Sequence, residues 1–169
     1  MKKLVSLLLM SLFFIAVPLH AAPANYWSVG GGFMTFDDSV DKIKPIQLFG
    51  RVGHDFTENF GVGLEAGFSL VEDELDAVDY SVTSTFLYVK GSLPVGEGSK
   101  LYAMIGPTNV ELSGEMGGVT VSVDDDDTGI GFGFEKILGA YSVTADYILY
   151  NDNDGADVSA INIGFVGYF

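Results

Sequence analysis

The sequence contains no cysteine and few basic residues. Without cysteine it can form neither disulfide bonds nor thiolate metal sites. Only 8 of the 169 residues are lysine or arginine, against 23 that are aspartate or glutamate, so the formal net charge is −15. A chain of this charge repels the phosphates of nucleic acids, which excludes DNA and RNA as partners.

Histidine is equally scarce. There are two histidines, and one of them, His20, lies in an apolar N-terminal segment, which leaves His54 alone in the rest of the chain. Catalysis by a Ser/His or Cys/His pair therefore lacks its components. The glycine-rich run at residues 129–133 lacks the lysine, the hydroxyl residue and the helix of a phosphate loop. We expect a protein that is not an enzyme and carries no cofactor.

Only one long apolar run occurs, at the N terminus. A basic start at residues 1–3, apolar residues 4–19 and small residues around Ala21 are typical of a secretory signal peptide. We expect cleavage after Ala21, with the next alanine as the alternative. This gives a signal peptide over residues 1–21 and one domain over residues 22–169. That domain carries six basic and 23 acidic residues, a net charge of −17.

The rest of the chain has no run near the roughly 18 apolar residues that a membrane helix needs. Its composition is nevertheless apolar, since the mean hydropathy of the whole chain is +0.33. An acidic chain that is apolar on average and lacks a spanning helix is typical of a membrane β-barrel, whose apolar residues are spread over alternating strands.

Alternation with a period of two predicts eight strands. It is strictest at residues 60–70, where Phe60, Leu64 and Phe68 share one face and Glu65 lies on the other. Eleven residues match the length of a tilted membrane strand, about nine to eleven. The predicted strands cover residues 26–36, 46–56, 60–70, 82–93, 100–110, 128–136, 141–150 and 161–169. We predict an all-β fold, an eight-stranded antiparallel up-and-down transmembrane β-barrel.

The connections between these strands alternate in length. The short ones cover residues 57–59, 94–99 and 137–140, and the long ones cover residues 37–44, 72–79, 111–127 and 151–157. Outer-membrane barrels have short periplasmic turns and longer external loops. Seventeen of the 23 acidic residues fall in the long connections, so we expect an acidic external surface.

Five charged residues within the strands are predicted to face the lumen. A charge on the lipid face would cost roughly 2–4 kcal/mol near the midplane, so these side chains belong inside. The predicted lumen network is an Arg51–Glu65 pair, extended to Lys90, Glu135 and Asp146. For residues 82–93 the opposite facing stays open, with Phe86 and Tyr88 toward lipid. The network neutralises a polar interior or, as the alternative, gates a narrow pore.

Small and aromatic residues complete the predicted barrel. Inward glycines at positions 61, 63, 67, 129, 131 and 133 are expected to make room for long charged side chains. Aromatic residues near strand ends fit interfacial girdles. They are Trp27, Phe56, Phe60, Tyr141, Tyr168 and Phe169 at the turn side and Phe36, Tyr80 and Tyr150 at the loop side.

Two acidic segments are candidates for divalent-cation loops, because carboxylate oxygens suit Ca²⁺ and Mg²⁺. The residues concerned are Asp124, Asp125, Asp126, Asp127, Asp152, Asp154 and Asp157. The second segment does not fit a helix-flanked calcium loop, because Tyr150 and Ile161 fall at its first and last ligand positions. A solvated acidic surface is the alternative interpretation.

The alternating strands, the turn at residues 51–60 and the ending at residues 164–169 resemble small outer-membrane β-barrels, namely the OmpA transmembrane domain and the OmpX-type and opacity-type proteins. The resemblance implies that the last strand is the signal for the barrel-assembly machinery, through Ile161, Ile163, Phe165, Tyr168 and Phe169. No residues resemble the peptidoglycan-binding domain of OmpA-type proteins, so we expect no cell-wall anchoring.

The resemblance also implies a set of partners and functions. The expected location is the outer membrane of a Gram-negative bacterium, with lipids, lipopolysaccharide and an extracellular partner as contacts. The main hypothesis is a structural or surface-interaction protein, in adhesion or envelope integrity. The alternatives are a narrow passive pore gated by Arg51 and Glu65, and a soluble lipocalin-like periplasmic carrier. Lipid A-modifying enzymes of similar size would need a catalytic histidine near the outer surface, whereas His54 lies beside a periplasmic turn.

Overall fold

The computed structural model describes residues 24–38, 41–70, 73–75, 78–116, 119–152 and 157–169. These residues form antiparallel strands joined by turns and short connections. The strands are β1 (Ala24–Asp38), β2 (Asp41–Ile43), β3 (Ile46–Thr57), β4 (Phe60–Ser69), β5 (Asp73–Leu75), β6 (Val78–Gly96), β7 (Ser99–Met116), β8 (Val119–Leu138), β9 (Tyr141–Asp152) and β10 (Asp157–Tyr168).

The eight long strands close into a barrel. Each pairs with the next long strand in chain order, and β10 pairs with β1 from Tyr26↔Tyr168 to Asp37↔Asp157. Among the described residues, β2 pairs only with β1, and β5 pairs only with β6, at one end of the barrel. The predicted eight-stranded antiparallel barrel is therefore confirmed.

Tight turns define one end of the barrel, which we call the turn end; the opposite end is the loop end. The turns lie at residues 58–59, 97–98 and 139–140. Gly98 and Gly139 have φ values of 61° and 74°, in the left-handed region that glycine adopts without steric strain. Both chain termini of the barrel, Ala24 and Tyr168, also lie at the turn end.

Side chains alternate between the lumen and the outer surface along every long strand, as the period of two requires. On β4, Phe60, Leu64 and Phe68 are exposed on the outside, and Glu65 is fully buried inside. On β6, Lys90 faces the lumen and Leu87 faces outward. No helix among the described residues is long and apolar enough to cross a membrane.

The connection predicted at residues 111–127 is different in the structure. β7 and β8 continue as a paired hairpin up to Met116↔Val119, so the four aspartates at residues 124–127 lie in a strand and not in a loop. Aspartate is unfavourable in strands, but the alternating run around Val121 and Val123 favours one, and cross-strand pairing outweighs the local preference. Pro107 does not end β7 either; it lies opposite Thr128 of β8.

Candidate functional site

The lumen contains a buried charge cluster, which we define as Arg51, Glu65 and Asp146. Arg51 of β3 lies directly opposite Glu65 of β4, and its Nε donates a hydrogen bond to that carboxylate. Its two terminal nitrogens reach across the lumen to β9 and donate to both oxygens of Asp146, at 2.7 and 2.9 Å. All three residues are at most 5% exposed. The guanidinium therefore ties two distant walls of the barrel together.

Neutral side chains donate further hydrogen bonds to the two carboxylates of this cluster. Tyr150 donates to Glu65. Tyr102 donates to Asp146 at 2.7 Å, and Asn162 donates to the same carboxylate at 3.2 Å. The ring of Phe49 lies 4.4 Å from the guanidinium carbon of Arg51, a favourable cation–π distance. Buried charges need such partners, because an unpaired one loses its hydration without compensation.

Lys90 does not join this cluster. Its Nζ lies 2.8 and 3.0 Å from the two oxygens of Asp55, and 4.2 Å from the centre of the Tyr26 ring. Asp55 lies within the predicted strand 46–56 but is not a member of the predicted network. Asp55 is four residues beyond Arg51 on the same strand and thus on the same face, a signal that could have identified it.

Glu135 forms a third, separate group. Its carboxylate accepts a hydrogen bond from the hydroxyl of Tyr168 at 2.8 Å. Glu135, Arg51 and Lys90 line one cavity of about 20 Å³, which has room for about one water molecule. The predicted network of five residues is therefore three groups. All three border this small cavity, and Tyr26 links two of them, because its ring contacts both Lys90 and Tyr168.

Apolar side chains fill the loop end of the lumen. Met34, Phe86, Ile148 and Tyr150 are all at most 1% exposed. We call the buried set at this end the apolar plug: Met34, Phe36, Val82, Phe86, Val110, Ile148, Tyr150, Val158 and Ala160. The sequence predicts glycines and charged residues in the lumen. This prediction is wrong for the loop end, because the inward positions near the strand ends are large and apolar.

The inward glycines accommodate mainly uncharged groups. A Cβ on Gly133 would overlap the ring of Tyr102, and one on Gly63 would lie 2.6 Å from the hydroxyl of Tyr26. Long charged side chains were expected beside these glycines. Of the six, only Gly61 has a charged group nearest to it, the carboxylate of Asp55. An aromatic ring is broader than a carboxylate. A tyrosine ring in the lumen therefore fits only where the facing residue has no side chain.

The predicted aromatic girdle is confirmed in part. Five of its members lie on the outer surface, namely Trp27, Phe56, Phe60, Tyr141 and Phe169. By contrast, Phe36 and Tyr150 are buried in the apolar plug, and Tyr168 turns inward to Glu135. The side chain of Tyr80 lies outside the described residues. An aromatic residue at a strand end can face either side, and only its position in the alternation decides which.

The candidate divalent-cation residues do not converge in the part of the chain described. Successive aspartates of β8 alternate between its two faces: Asp126 accepts from Asn109 at 3.0 Å, and Asp125 accepts from Asn151. Asp157 starts β10, while the side chains of Asp152 and Asp154 lie outside the described residues. Among described residues no group of three potential ligands occurs. Divalent-cation binding stays a prediction.

The last strand presents its apolar residues to the outside. Ile161, Ile163 and Phe165 are all exposed there. The backbones of Phe169 and Asn25 exchange two hydrogen bonds, at 2.9 and 3.1 Å, which seal the barrel at the turn end. The role of this strand as an assembly signal stays a prediction. At the same end His54 is hydrogen-bonded to Asn25 at 2.8 Å.

The contribution of the hydrogen bond from Tyr150 to Glu65 to the stability of the barrel can be measured. We expect Tyr150→Phe to lower the free energy of unfolding by about 1.5 kcal/mol, because one oxygen of a buried carboxylate loses its donor. Tyr147→Phe is the matched control, since Tyr147 lies on the same strand but faces outward. Urea unfolding in lipid vesicles, followed by the fluorescence of Trp27, measures both. Equal stability of the two variants would contradict the assigned hydrogen bond.

Comparisons with known proteins agree with this architecture. A family model described as "Outer membrane protein beta-barrel domain" matches residues 5–169. The crystal structure of Neisserial surface protein A is similar with a TM-score of 0.73 at 11% identity, covering 88% of this chain and 100% of that chain. Ail, the attachment invasion locus protein of Yersinia pestis, gives 0.70 at 15% identity, with coverage of 88% and 100%.

A third similar structure is that of the outer membrane protein OprG from Pseudomonas aeruginosa. Its TM-score is 0.54 at 15% identity, and the match covers 90% of this chain and 99% of that chain. No curated protein matches the sequence. At these identities the solved structures establish a shared fold.

Proposed function

Because the chain belongs to the outer membrane protein beta-barrel domain family and resides in the outer membrane, we propose that it acts through its loop-end surface and not through its lumen. The protein is a non-enzymatic surface-interaction protein, with a role in adhesion or envelope integrity. An N-terminal signal peptide directs it out of the cytoplasm, and the barrel-assembly machinery inserts it. Its remaining contacts are membrane lipids and lipopolysaccharide.

The main support for this proposal is that side chains fill the lumen. The apolar plug occupies the loop end, and the charge cluster crosses the middle of the barrel with its charges paired. The cavity at the turn-end side of the cluster has a volume of about 20 Å³, which is room for about one water molecule. Such an interior is a packed core that supports the surface above it.

The exposed charge at the loop end indicates the chemistry of the partner. Glu111 of β7 lies directly opposite Asp124 of β8, and Asp126 is exposed beside them. Ail has been crystallised with the heparin analogue sucrose octasulfate, a polyanion. Carboxylates in these positions repel a polyanion, so this chain is expected to differ from Ail and to favour a cationic surface.

Conductance in a planar bilayer tests the proposal. We expect the folded protein to give no discrete current steps, and the Glu65→Ala variant to be equally silent, because the apolar plug remains in place. The heat-dependent gel mobility of each sample confirms that the barrel is folded. Binding of lipid nanodiscs that contain the protein to immobilised polylysine, and not to immobilised heparin, is the matching positive result.

A narrow passive pore is the second candidate function, since the ion pair of Arg51 and Glu65 spans adjacent strands inside the lumen. Current steps that change in size or frequency in Glu65→Ala would establish it and overturn the loop-end proposal.

A further inference from the structure

The outer surface of the barrel is charged differently at its two ends. Toward the loop end the strands carry exposed acidic side chains on this surface, namely Asp37, Glu111, Asp124, Asp126 and Asp157. At the turn end the acidic residues lie elsewhere: Asp55 and Glu135 are buried in the lumen, and Glu58 and Glu97 lie in the turns. The turn end of such barrels faces the periplasm. The lipid face beside the periplasmic leaflet therefore carries no acidic side chain on the strands that the structure describes.

Lys136 of β8 lies on this turn-end lipid face. Its neighbours along the same face are Phe134 and Leu138, which are 40% and 60% exposed. On β9, Val143 lies directly opposite Lys136 and Tyr141 directly opposite Leu138, so Tyr141 of the aromatic girdle is the diagonal neighbour of the lysine. Aromatic girdles lie at the level of the lipid headgroups. Lys136 is therefore at headgroup level.

Hydrogen bonds hold the ammonium group of Lys136 in place. Its Nζ donates to the backbone carbonyl of Glu97 at 2.9 Å and to the hydroxyl of Ser99 at 3.0 Å. An ammonium group has three N–H donors, so one donor is left for an acceptor outside the protein. Within the described part of the chain, no carboxylate forms an ion pair with Lys136. The positive charge is thus fixed in position and not balanced.

The phosphate group of a phospholipid supplies what this position lacks. One of its oxygens can accept the third N–H of Lys136, and its negative charge balances the ammonium group. The acyl chains below the phosphate then cover the apolar surface at Phe134 and Phe132. A lipid with a cationic headgroup, such as phosphatidylcholine, finds no carboxylate on this lipid face to balance its own positive charge. A phospholipid of net negative charge is therefore favoured.

We propose that Lys136, held by Ser99 and the carbonyl of Glu97, is a headgroup site for an anionic phospholipid of the periplasmic leaflet. The lipid phosphate accepts a hydrogen bond from Nζ, and its chains lie along the outer face of β8. A headgroup bound there fixes the depth of the barrel in the membrane on this side. The site lies at the opposite end from the surface of the proposed function and does not depend on that function.

Brominated lipids test the proposal, because bromine quenches the fluorescence of a tryptophan that it contacts. The local reporter is Tyr141→Trp combined with Trp27→Phe, which places the single indole beside Lys136. The reference reporter is the unaltered chain, whose Trp27 lies on β1, separated from β8 by β9 and β10. Quenching is compared in vesicles that mix phosphatidylglycerol and phosphatidylcholine, with either lipid brominated. Both reporters are measured at about pH 8, where histidine side chains are generally uncharged.

We expect the local reporter to show about a fivefold preference for phosphatidylglycerol, the ratio that one lysine near an anionic lipid provides. The reference reporter is expected to show almost none. Lys136→Gln should abolish the local preference. Lys100→Gln is the matched control, since it removes the same charge at the same end but from the lumen side, opposite Glu135. We expect it to leave the preference unchanged.

Two further measurements do not depend on the folding of Lys136→Gln. Lys136→Arg keeps the charge and is expected to keep the preference. About 1 M sodium chloride is expected to remove the preference from the otherwise unaltered local reporter, because salt screens the attraction. Heat-dependent gel mobility confirms that each variant is folded. The proposal is wrong if both reporters show the same preference, if folded Lys136→Gln keeps it, or if Lys100→Gln abolishes it as well.

Discussion

Replacement of Arg51 by methionine is expected to lower the free energy of unfolding by about 3–5 kcal/mol, the range for a buried ion pair that loses one partner. The substitution leaves the carboxylates of Glu65 and Asp146 buried in the lumen without their cation. Methionine nearly matches the volume of the arginine stem. The loss of stability is therefore due mainly to the missing charge and not to lost packing. The cross-lumen link between β3 and β9 is lost as well.

A triple variant is the control for this prediction. Arg51→Met combined with Glu65→Gln and Asp146→Asn removes all three charges, and we expect it to recover most of the lost stability. Urea unfolding in lipid vesicles, with Trp27 as the fluorescent reporter, measures each variant. If the single variant is as stable as the parent, the carboxylates are not held by Arg51, and the assigned cluster is wrong.

Replacement of Gly30 by a bulkier residue is the second change that we expect to lower the stability strongly. Gly30 lies at the seam where the barrel closes, opposite Gly164 of β10 and Phe49 of β3. A Cβ there would overlap the carbonyl oxygen of Ile163 and lie 2.7 Å from the Cα of Gly164. Backbone atoms of a closed barrel cannot move aside, so we expect Gly30→Val to cost about 3 kcal/mol, the upper end for an overpacked interior.

Gly50→Val is the matched control for the seam. Gly50 faces outward on β3, and the nearest heavy atom to its Cβ position is the carbonyl oxygen of Ser28 at 4.0 Å. The change in stability there is expected to stay within about 0.5 kcal/mol. Folding yield by heat-dependent gel mobility and urea unfolding compare the two variants. Equal losses in both would mean that valine acts through the strand backbone in general and not through the closure of the barrel.

Most of the barrel could be predicted from the sequence. The eight strands follow from alternation with a period of two, and so does the facing of most residues, because a strand in a membrane must turn apolar residues to lipid. For residues 82–93 the alternation left both facings open, and the structure turns Phe86, Tyr88 and Lys90 inward. The inward facing of Arg51, Glu65 and Asp146 follows from the same rule. Strand ends were less predictable: β7 and β8 run well past the membrane span, where no lipid boundary marks their limits.

Only part of the pairing inside the lumen could be predicted. The Arg51–Glu65 pair was expected, whereas the partners of Lys90 and Asp146 were not. Alternation gives the face on which a charged residue lies, but not the height at which its side chain meets the opposite wall. That height depends on the tilt and stagger of all eight strands, which are properties of the closed barrel. The closed barrel places Lys90 at Asp55 and Arg51 between Glu65 and Asp146.

The sequence by itself thus determined the strand count, the lipid face of most strands, the acidic exterior and most of the inward charges, because these depend mainly on neighbours along one strand. The tertiary structure decided which charges pair across the lumen and how the apolar plug fills the loop end. Both features depend on contacts between strands far apart in the chain, and such contacts exist only once the barrel has closed.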